Sequence, residues 1–361
     1  MKDAQLRTAT AVALTNHAEA VTDKAMTPDS GDKHDYMSFG PYWWPDPTKP
    51  DGRPFIRRDG EENPQSLADS DRRRLERMVA DVTTLAAAAK RFKDRAAGVE
   101  AARKIRVFFL DKETAMNPNL NFGQAIPGRC AGRGIGLIDT RFFANRLFDA
   151  FAILERTGDL TSEDMTGLKA WFARYLDWMM TSPIGLDEQD EHNNHGTAYD
   201  LQAATYAHFV GKDEIARKIL ETDTKKRIAS QIQPDGSQPH ELARTRSLTY
   251  ATMNATLFCE LALLGEKVGV DLWRYETSDG RSIKKAVEWL IPYWHHDRPW
   301  TRRQITPIPK DIGRDALAIY QHFAQAPAPR AAPCVISDWD CTPTPYWGAF
   351  VRAALRGVRF D

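Results

Sequence analysis

What most restricts the fold of this 361-residue chain is a helical hydrophobic period that returns along most of its length. Leu75, Met78, Val79, Val82, Leu85, Ala86, Ala89 and Phe92 recur at i, i+3 and i+4, the spacing that lines one face of a helix. The same spacing marks Val99 to Leu110, and 142–154 through Phe142, Phe143, Leu147, Phe148, Phe151 and Leu154. After "TSED", a helix-capping signature, Leu168, Trp171, Phe172, Tyr175, Leu176 and Met179 mark another helix. Further helices are predicted near 199–210, 213–222, 247–264, 282–291 and 311–324. Few stretches show the period of two that half-buried strands require. The expectation is an all-α chain. No repeat of roughly 34 or 40 residues marks a solenoid, and no interior linker divides the chain, so one domain over 1–361 is expected. A bundle, a solenoid and a closed ring of helical hairpins all satisfy the pattern. In a ring, the inter-helix loops collect at one end and line a groove that suits a polymer.

Residues 30–66 interrupt the helical pattern with "GDKHDYMSFGPYWWPDPTKPDGRPFIRRDGEENP". Proline removes backbone donors, and glycine and aspartate favour turns, so this stretch is not regular helix. Tyr42, Trp43, Trp44 and Phe55 argue against disorder, leaving a long ordered loop of the kind that usually carries function. Charge is balanced at 49 basic and 49 acidic residues, which gives no reason to expect nucleic acid or an anionic membrane as partner. A locally basic cleft is still compatible with an acidic substrate. Ten tryptophans supply both core and candidate stacking faces for sugars. Cys130, Cys259, Cys334 and Cys341 lack CxxC spacing, which disfavours a structural zinc. Cys334 and Cys341 are spaced either for a local bridge or for two free thiols. No apolar run reaches the ~20 residues of a membrane span. The N-terminal apolar stretch is short for a signal peptide, so the chain is either cytoplasmic or a mature form whose leader has been removed.

Three polar clusters remain. "EHNNHGTAYD" places His192, Asn193, Asn194 and His195 in consecutive positions. One reading is a polar loop with Asn194 or Thr197 capping the following helix; yet a cap needs one small side chain, and here are two imidazoles and two amides. Metal-ligand spacings such as HExxH or a calcium loop are absent. "DGSQPHELARTRSLTY" carries His240, Arg244, Arg246 and Tyr250. Arg244 and Tyr250 converge only if the helix begins after Arg244, because six residues apart are roughly opposite on an ideal helix. A surface arginine pair bridging to Glu241 is the plainer alternative. Third, Asn117 to Phe143 holds glycines at 128, 132, 134 and 136, but no P-loop lysine and no GxGxxG spacing. With no strand expected ahead of it, this reads as a tight loop presenting Asn121, Gln124, Arg129 and Arg133.

Amides, arginines, histidine and tyrosine without an obvious carboxylate pair disfavour ordinary glycoside hydrolysis. They suit β-elimination from a uronic acid. There a base removes the proton on C5, the C4–O bond breaks, and the carboxylate must be neutralised because its charge opposes a second negative charge at C5. Amide and guanidinium donors do this while binding the enolate-like intermediate more tightly than the ground state. Tyrosine serves as base and then acid if a nearby cation or coupled transfer offsets its ordinary pKa of ~10.

"FGPYWWPDP", "KPDGRPFIRRDGE", "GRGIGLIDT", "NNHGTAYD" and "DGSQPHELARTRSLTYATMN" occur in that order. Together they resemble the alginate-lyase superfamily of helical-toroid polysaccharide lyases, in the branch that includes bacterial alginate and glucuronan lyases. The resemblance runs from about residue 35 to about residue 305. It implies an α/α toroid, an incomplete barrel of helical hairpins with a long ordered N-terminal loop. It implies an acidic polysaccharide as substrate, no metal or other cofactor, and a periplasmic or secreted location. It places the active site on Asn194, His195, Arg244 and Tyr250. Arg246 is the alternative arginine, since in the older branch arginine and tyrosine stand one residue further apart. Asn121 or Gln124 is implied as a further carboxylate neutraliser. His240, Tyr42, Trp43, Trp44 and Arg57 are expected to bind neighbouring sugars or close the cleft. Two rivals stand beside this expectation: a non-catalytic carbohydrate-binding protein, and a hydrolase of unsaturated uronides acting through Asp139, Asp200 or Glu241.

Overall fold

The computed structural model describes residues 3–325 apart from Asp69; Cys334 and Cys341 lie outside the described residues. Thirteen α-helices are described: α1 (Asp3–Thr15), α2 (Asp71–Phe92), α3 (Arg95–Phe109), α4 (Phe148–Thr157), α5 (Ser162–Thr181), α6 (Pro183–Gln189), α7 (Asn194–Phe209), α8 (Asp213–Lys218), α9 (Lys225–Gln231), α10 (Pro239–Leu242), α11 (Ser247–Val268), α12 (Ile283–Trp294) and α13 (Arg314–Gln325). Wider π-type turns over Phe143–Leu147 and Ile219–Thr224 lead into α4 and join α8 to α9.

The helices form the expected α/α toroid. Helix α2 packs on α4, the π turn before α4 on α7, α7 on α11, and α11 on α13. Helices α3, α5, α8 and α12 each pair with a member of that succession. Sequence accounts for the division. Residues buried in α7 and α11 lie all round the helix, as in the interior of a helical layer. Helices α3 and α12 bury one stripe each. One continuous apolar core runs from Ala13 to Ile319. At its centre Phe109, Phe143, Trp171 and Phe172 meet mostly edge to face, with centroids 4.9–6.3 Å apart. The "TSED" signature is a full capping box: Thr161 Oγ1 accepts from Asp164 N, and the Asp164 side chain accepts from Thr161 N.

Four helices escape the periodicity, among them α9, a seven-residue helix that continues the π turn over Ile219–Thr224. Helix α1 is rich in Ala and Thr, while α6 and α10 are short and begin with proline. Four short strands also appear. In the long loop, β1 (Met37–Phe39), β2 (Trp43–Trp44) and β3 (Ile56–Arg57) form; β4 (Phe122–Ala125) precedes the glycine cluster, where no strand was expected. β1 pairs with β4 in parallel, and β2 with β3 antiparallel. At two to four residues these strands are too short for alternation to register in sequence. Their effect is local: they pin the loop to the toroid through Gly40 N–Ala125 O (3.0 Å) and Phe55 N–Pro127 O (3.1 Å).

Candidate active site

Helix α11 starts at Ser247, so Arg244 stands on the entering turn and meets the condition for reaching Tyr250. Its guanidinium carbon lies 4.0 Å from the centre of the Tyr250 ring. Arg246, the backbone cap, provides no side-chain cap. A distant residue does so instead: Gln304 Oε1 accepts from Leu248 N at 3.1 Å, while its amide donates to Thr249 Oγ1 at 3.0 Å. Arg246 itself turns away to Glu62, 2.9 Å off, with its guanidinium 5.8 Å from the Tyr42 ring centre. Of the two arginines, Arg244 is the one on Tyr250.

The Tyr250 hydroxyl is 2.5 Å from the hydroxyl of Tyr42, which the long loop brings across 208 residues. Tyr250 is almost fully buried. Burial, then Tyr42, push its phenol well above the ordinary tyrosine value, while Arg244 works the other way. Arg244 is in turn held by Asp59, whose carboxylate accepts from Nε at 3.1 and 3.2 Å and from Nη2 at 2.7 Å. Burial opposes ionisation of Asp59, but these bonds and those from Thr245 hold it well below the usual carboxylate range.

On the other side of the site, Asn193 rather than Asn194 or Thr197 caps α7, accepting from His195 N at 2.8 Å. The cap leaves Asn194 available for other work. Fully buried, Asn194 donates from its backbone N (2.8 Å) and its Nδ2 (2.7 Å) to Glu241 of α10. Its Oδ1 is buried without a partner. The next residue, His195, has its Nδ1 2.9 Å from Oε1 of the fully buried Glu188. This contact fixes the ring so that Nε2 is the nitrogen left for a ligand. Burial pushes Glu188 up to about 7, with His195 opposing. His195 is shifted upward by Glu188 against the effect of its own burial. Glu241 acts electrostatically on both His195 and Arg244, so the two halves share one field.

Among the implied neutralising amides, Gln124 lies on β4 with a left-handed φ of 49°, which costs a non-glycine residue on the order of 1–2 kcal/mol. Both ends of its side chain are engaged: Nε2 donates to Asp139 at 2.9 Å, and Oε1 accepts from Arg133 at 3.0 Å. Asn121 is exposed, its Oδ1 accepting from Trp178 Nε1 at 3.0 Å. The glycines of this loop allow close approach of backbones. A Cβ on Gly136 would sit 2.6 Å from the Gly123 carbonyl, and one on Gly132 would sit 2.0 Å from Asn121 O. That explains the cluster without a phosphate.

Around this centre, Trp43 has Arg129 and Arg133 near its ring (5.1 and 5.8 Å to the centroid). Trp44 Nε1 donates to Glu61 O at 3.0 Å, and Arg57 pairs with Asp59 at 2.9 Å. His240 packs edge to face on His192 at 4.8 Å, both exposed. The motifs gave no sign of the roles of Asp59 and Glu188. Asp59 falls inside "KPDGRPFIRRDGE" without any role attached to it, Glu188 falls outside the motifs, and only their partners single them out. Among the described residues, no group of three or more His, Cys, Asp or Glu is placed to hold a metal ion, and no helix is long and apolar enough to cross a membrane.

A family model described as alginate lyase matches residues 20–300. The chain belongs to the alginate lyase family. As a family member it is a polysaccharide lyase, a carbon–oxygen lyase acting on uronate polymers. A crystal structure of an alginate lyase from Bacteroides ovatus is 40% identical, with 88% of this chain and 85% of that one covered at a TM-score of 0.83. The crystal structure of alginate lyase A1-III from Sphingomonas species A1 shares the fold at 17% identity, covering 89% and 87%, with a TM-score of 0.50. No curated protein matches.

The buried carboxylates of this alginate lyase family member predict how its stability depends on pH. Burial raises Glu188 and Glu260 to about 7 and Asp200 to about 6. A carboxylate raised on folding adds stability below its ordinary value, and that stability is lost as pH rises through the folded value. Asp59, shifted downward, acts oppositely and loses its contribution only in acid. The thermal midpoint is expected to be highest near about pH 5 and to fall toward about pH 8. Calorimetric scans across this range that show a rising midpoint would contradict the assignment.

Proposed function

We propose that this lyase cleaves a β-1,4-linked polyuronate, polymannuronate or glucuronan, by metal-independent syn β-elimination, with Tyr250 as base and then acid. The observation that carries the reading is the packing of the Arg244 guanidinium on the ring of Tyr250, which places a fixed cation beside a phenol. Burial and Tyr42 hold the phenol above its ordinary value in the free protein, and that cation works in the opposite direction, toward the phenolate. Arg244 and the remaining N–H of the Asn194 amide neutralise the uronate carboxylate, and His195 assists through Nε2 as neutraliser or as base. Once formed, the phenolate takes the C5 proton. Electrons move into the C4–C5 bond, the C4–O bond breaks, and the same proton passes to the departing O4. One residue can serve both steps when H5 and O4 lie on the same side of the ring, as in β-D-mannuronate and β-D-glucuronate. These sugars differ only at C2, remote from the reacting bond. Because the Tyr250 oxygen is bonded to Tyr42, productive binding replaces that contact with one to the sugar.

The uronide-hydrolase alternative needs an acid that reaches the sugar. Asp139, Asp200 and Glu241 are all buried and bonded within the protein: to Tyr36, Ser38 and Gln124; to Thr224 and Arg227; and to Asn194. A binding-only role has no need of the Arg244–Tyr250 stack. The test is ultraviolet absorbance during incubation with polymannuronate, polyguluronate and glucuronan, with chelator present. We expect absorbance of the new C4–C5 double bond to rise on polymannuronate or glucuronan, fastest on the preferred polymer. A folded protein silent on all three would reject the reading.

A further inference from the structure

Asp59 follows β3 in the long loop, yet its bonds concentrate on the turn that carries Arg244. Arg244 Nε donates to both carboxylate oxygens (3.1 and 3.2 Å) and Nη2 to Oδ1 (2.7 Å). Thr245 N reaches Oδ2 at 3.2 Å, and the Thr245 hydroxyl lies 2.7 Å from Asp59 O and 3.0 Å from Oδ2. Gly60 makes this approach possible: with φ +77°, its added Cβ would stand 2.2 Å from Thr245 Oγ1. Two residues further on, Glu62 takes Arg246 at 2.9 Å.

The consequence for Arg244 is geometric. A guanidinium has five donors in a rigid fork. Asp59 occupies the Nε/Nη2 edge, the flat face lies on Tyr250, and among the described residues no hydrogen bond uses Nη1. We propose that Asp59 is a positioning residue for the elimination, clamping Arg244 by one edge so that its Nη1 edge meets the uronate carboxylate while its face stays on Tyr250. This rests on the lyase reading above. Charge alone would make Asp59 a poor neighbour, because it is among the groups that oppose ionisation of Tyr250. Its value is therefore in placement, and an error of about 1 Å at such a group can cost on the order of a hundredfold in rate. The clamp also joins the long loop to the reacting centre: the ribbon that carries Tyr42 and Trp43 must be docked for Arg244 to be fixed.

The test is a double-mutant cycle on kcat and KM, with Asp59→Asn and Asp59→Glu each made in the wild type and in Arg244→Ala, following the unsaturated product. In the wild type, Asp59→Asn is expected to lower kcat about tenfold or more with KM within about threefold, and Asp59→Glu to recover part of the loss. In Arg244→Ala, neither change should lower kcat further. Equal losses in both backgrounds would show that Asp59 merely supports the loop. A loss confined to KM would make it a sugar-binding residue, and a rise in kcat would make it an electrostatic brake; each overturns the proposal. Should Asp59→Asn fail to fold, the Asp59→Glu cycle, which keeps the charge and displaces it by one methylene, gives the same decision. Wild-type protein that yields no unsaturated product rejects the lyase reading itself, and the proposal falls with it.

Discussion

Replacing Tyr250 by Phe is expected to reduce kcat by about a thousandfold, the middle of the range for general acid–base catalysis, because Tyr250 both accepts and returns a proton. Only an oxygen is removed. The ring keeps its place in α11 and its contact with Arg244, so KM should stay within about threefold and the thermal midpoint should change little. The hydroxyl's partner in the free protein is Tyr42, which retains access to solvent because it is only half-buried. Steady-state absorbance kinetics on the preferred polymer decide the matter. Turnover within about tenfold of the wild type would remove Tyr250 as the proton carrier and return attention to His195, whose Nε2 is the other candidate base.

Asn194→Ala is expected to act on both rate and stability. The Asn194 backbone and side chain supply the two hydrogen bonds described for the Glu241 carboxylate, which is 1% exposed. Truncation leaves one carboxylate oxygen without its donor in a buried place, at a cost of roughly 2–3 kcal/mol. In the proposed mechanism it also removes the remaining Asn194 N–H that neutralises the uronate carboxylate, so kcat should fall by about a hundredfold or more. Denaturant unfolding and kinetics together test this. Loss of stability at unchanged kcat would make Asn194 purely structural. The reverse would mean that Glu241 finds another partner.

These outcomes turn on contacts that differ greatly in how far sequence can reveal them. The helical fold was legible because periodicity is local: each of α2, α3, α5 and α12 writes its buried face into its own residues. Helices α6, α9 and α10 and strands β1 to β4 were not, because elements of two to seven residues are held by their neighbours rather than by a pattern of their own. The convergence of Arg244 and Tyr250 was legible as a condition on where α11 begins, since both lie within one turn of that start. The NNH stretch was legible as excess polarity, but its division of labour was not. Asn193 takes the cap, and Asn194 and His195 go to Glu241 and Glu188.

By itself, then, the order of residues determined an all-helical chain, a long aromatic loop, and two polar clusters suited to binding a uronate. Only the tertiary structure decided which groups serve which. Tyr42 meets Tyr250 across 208 residues, and Asp59 meets Arg244 across 185. Both pairs exist because the loop, folded on itself by β2 and β3 and held to β4 by β1, also bonds the turn before α11 through Asp59 to Thr245 and Glu62 to Arg246. A carboxylate or a phenol looks the same in sequence wherever it lies. Its chemistry comes from burial and from the charge placed beside it, and both are properties of the folded chain.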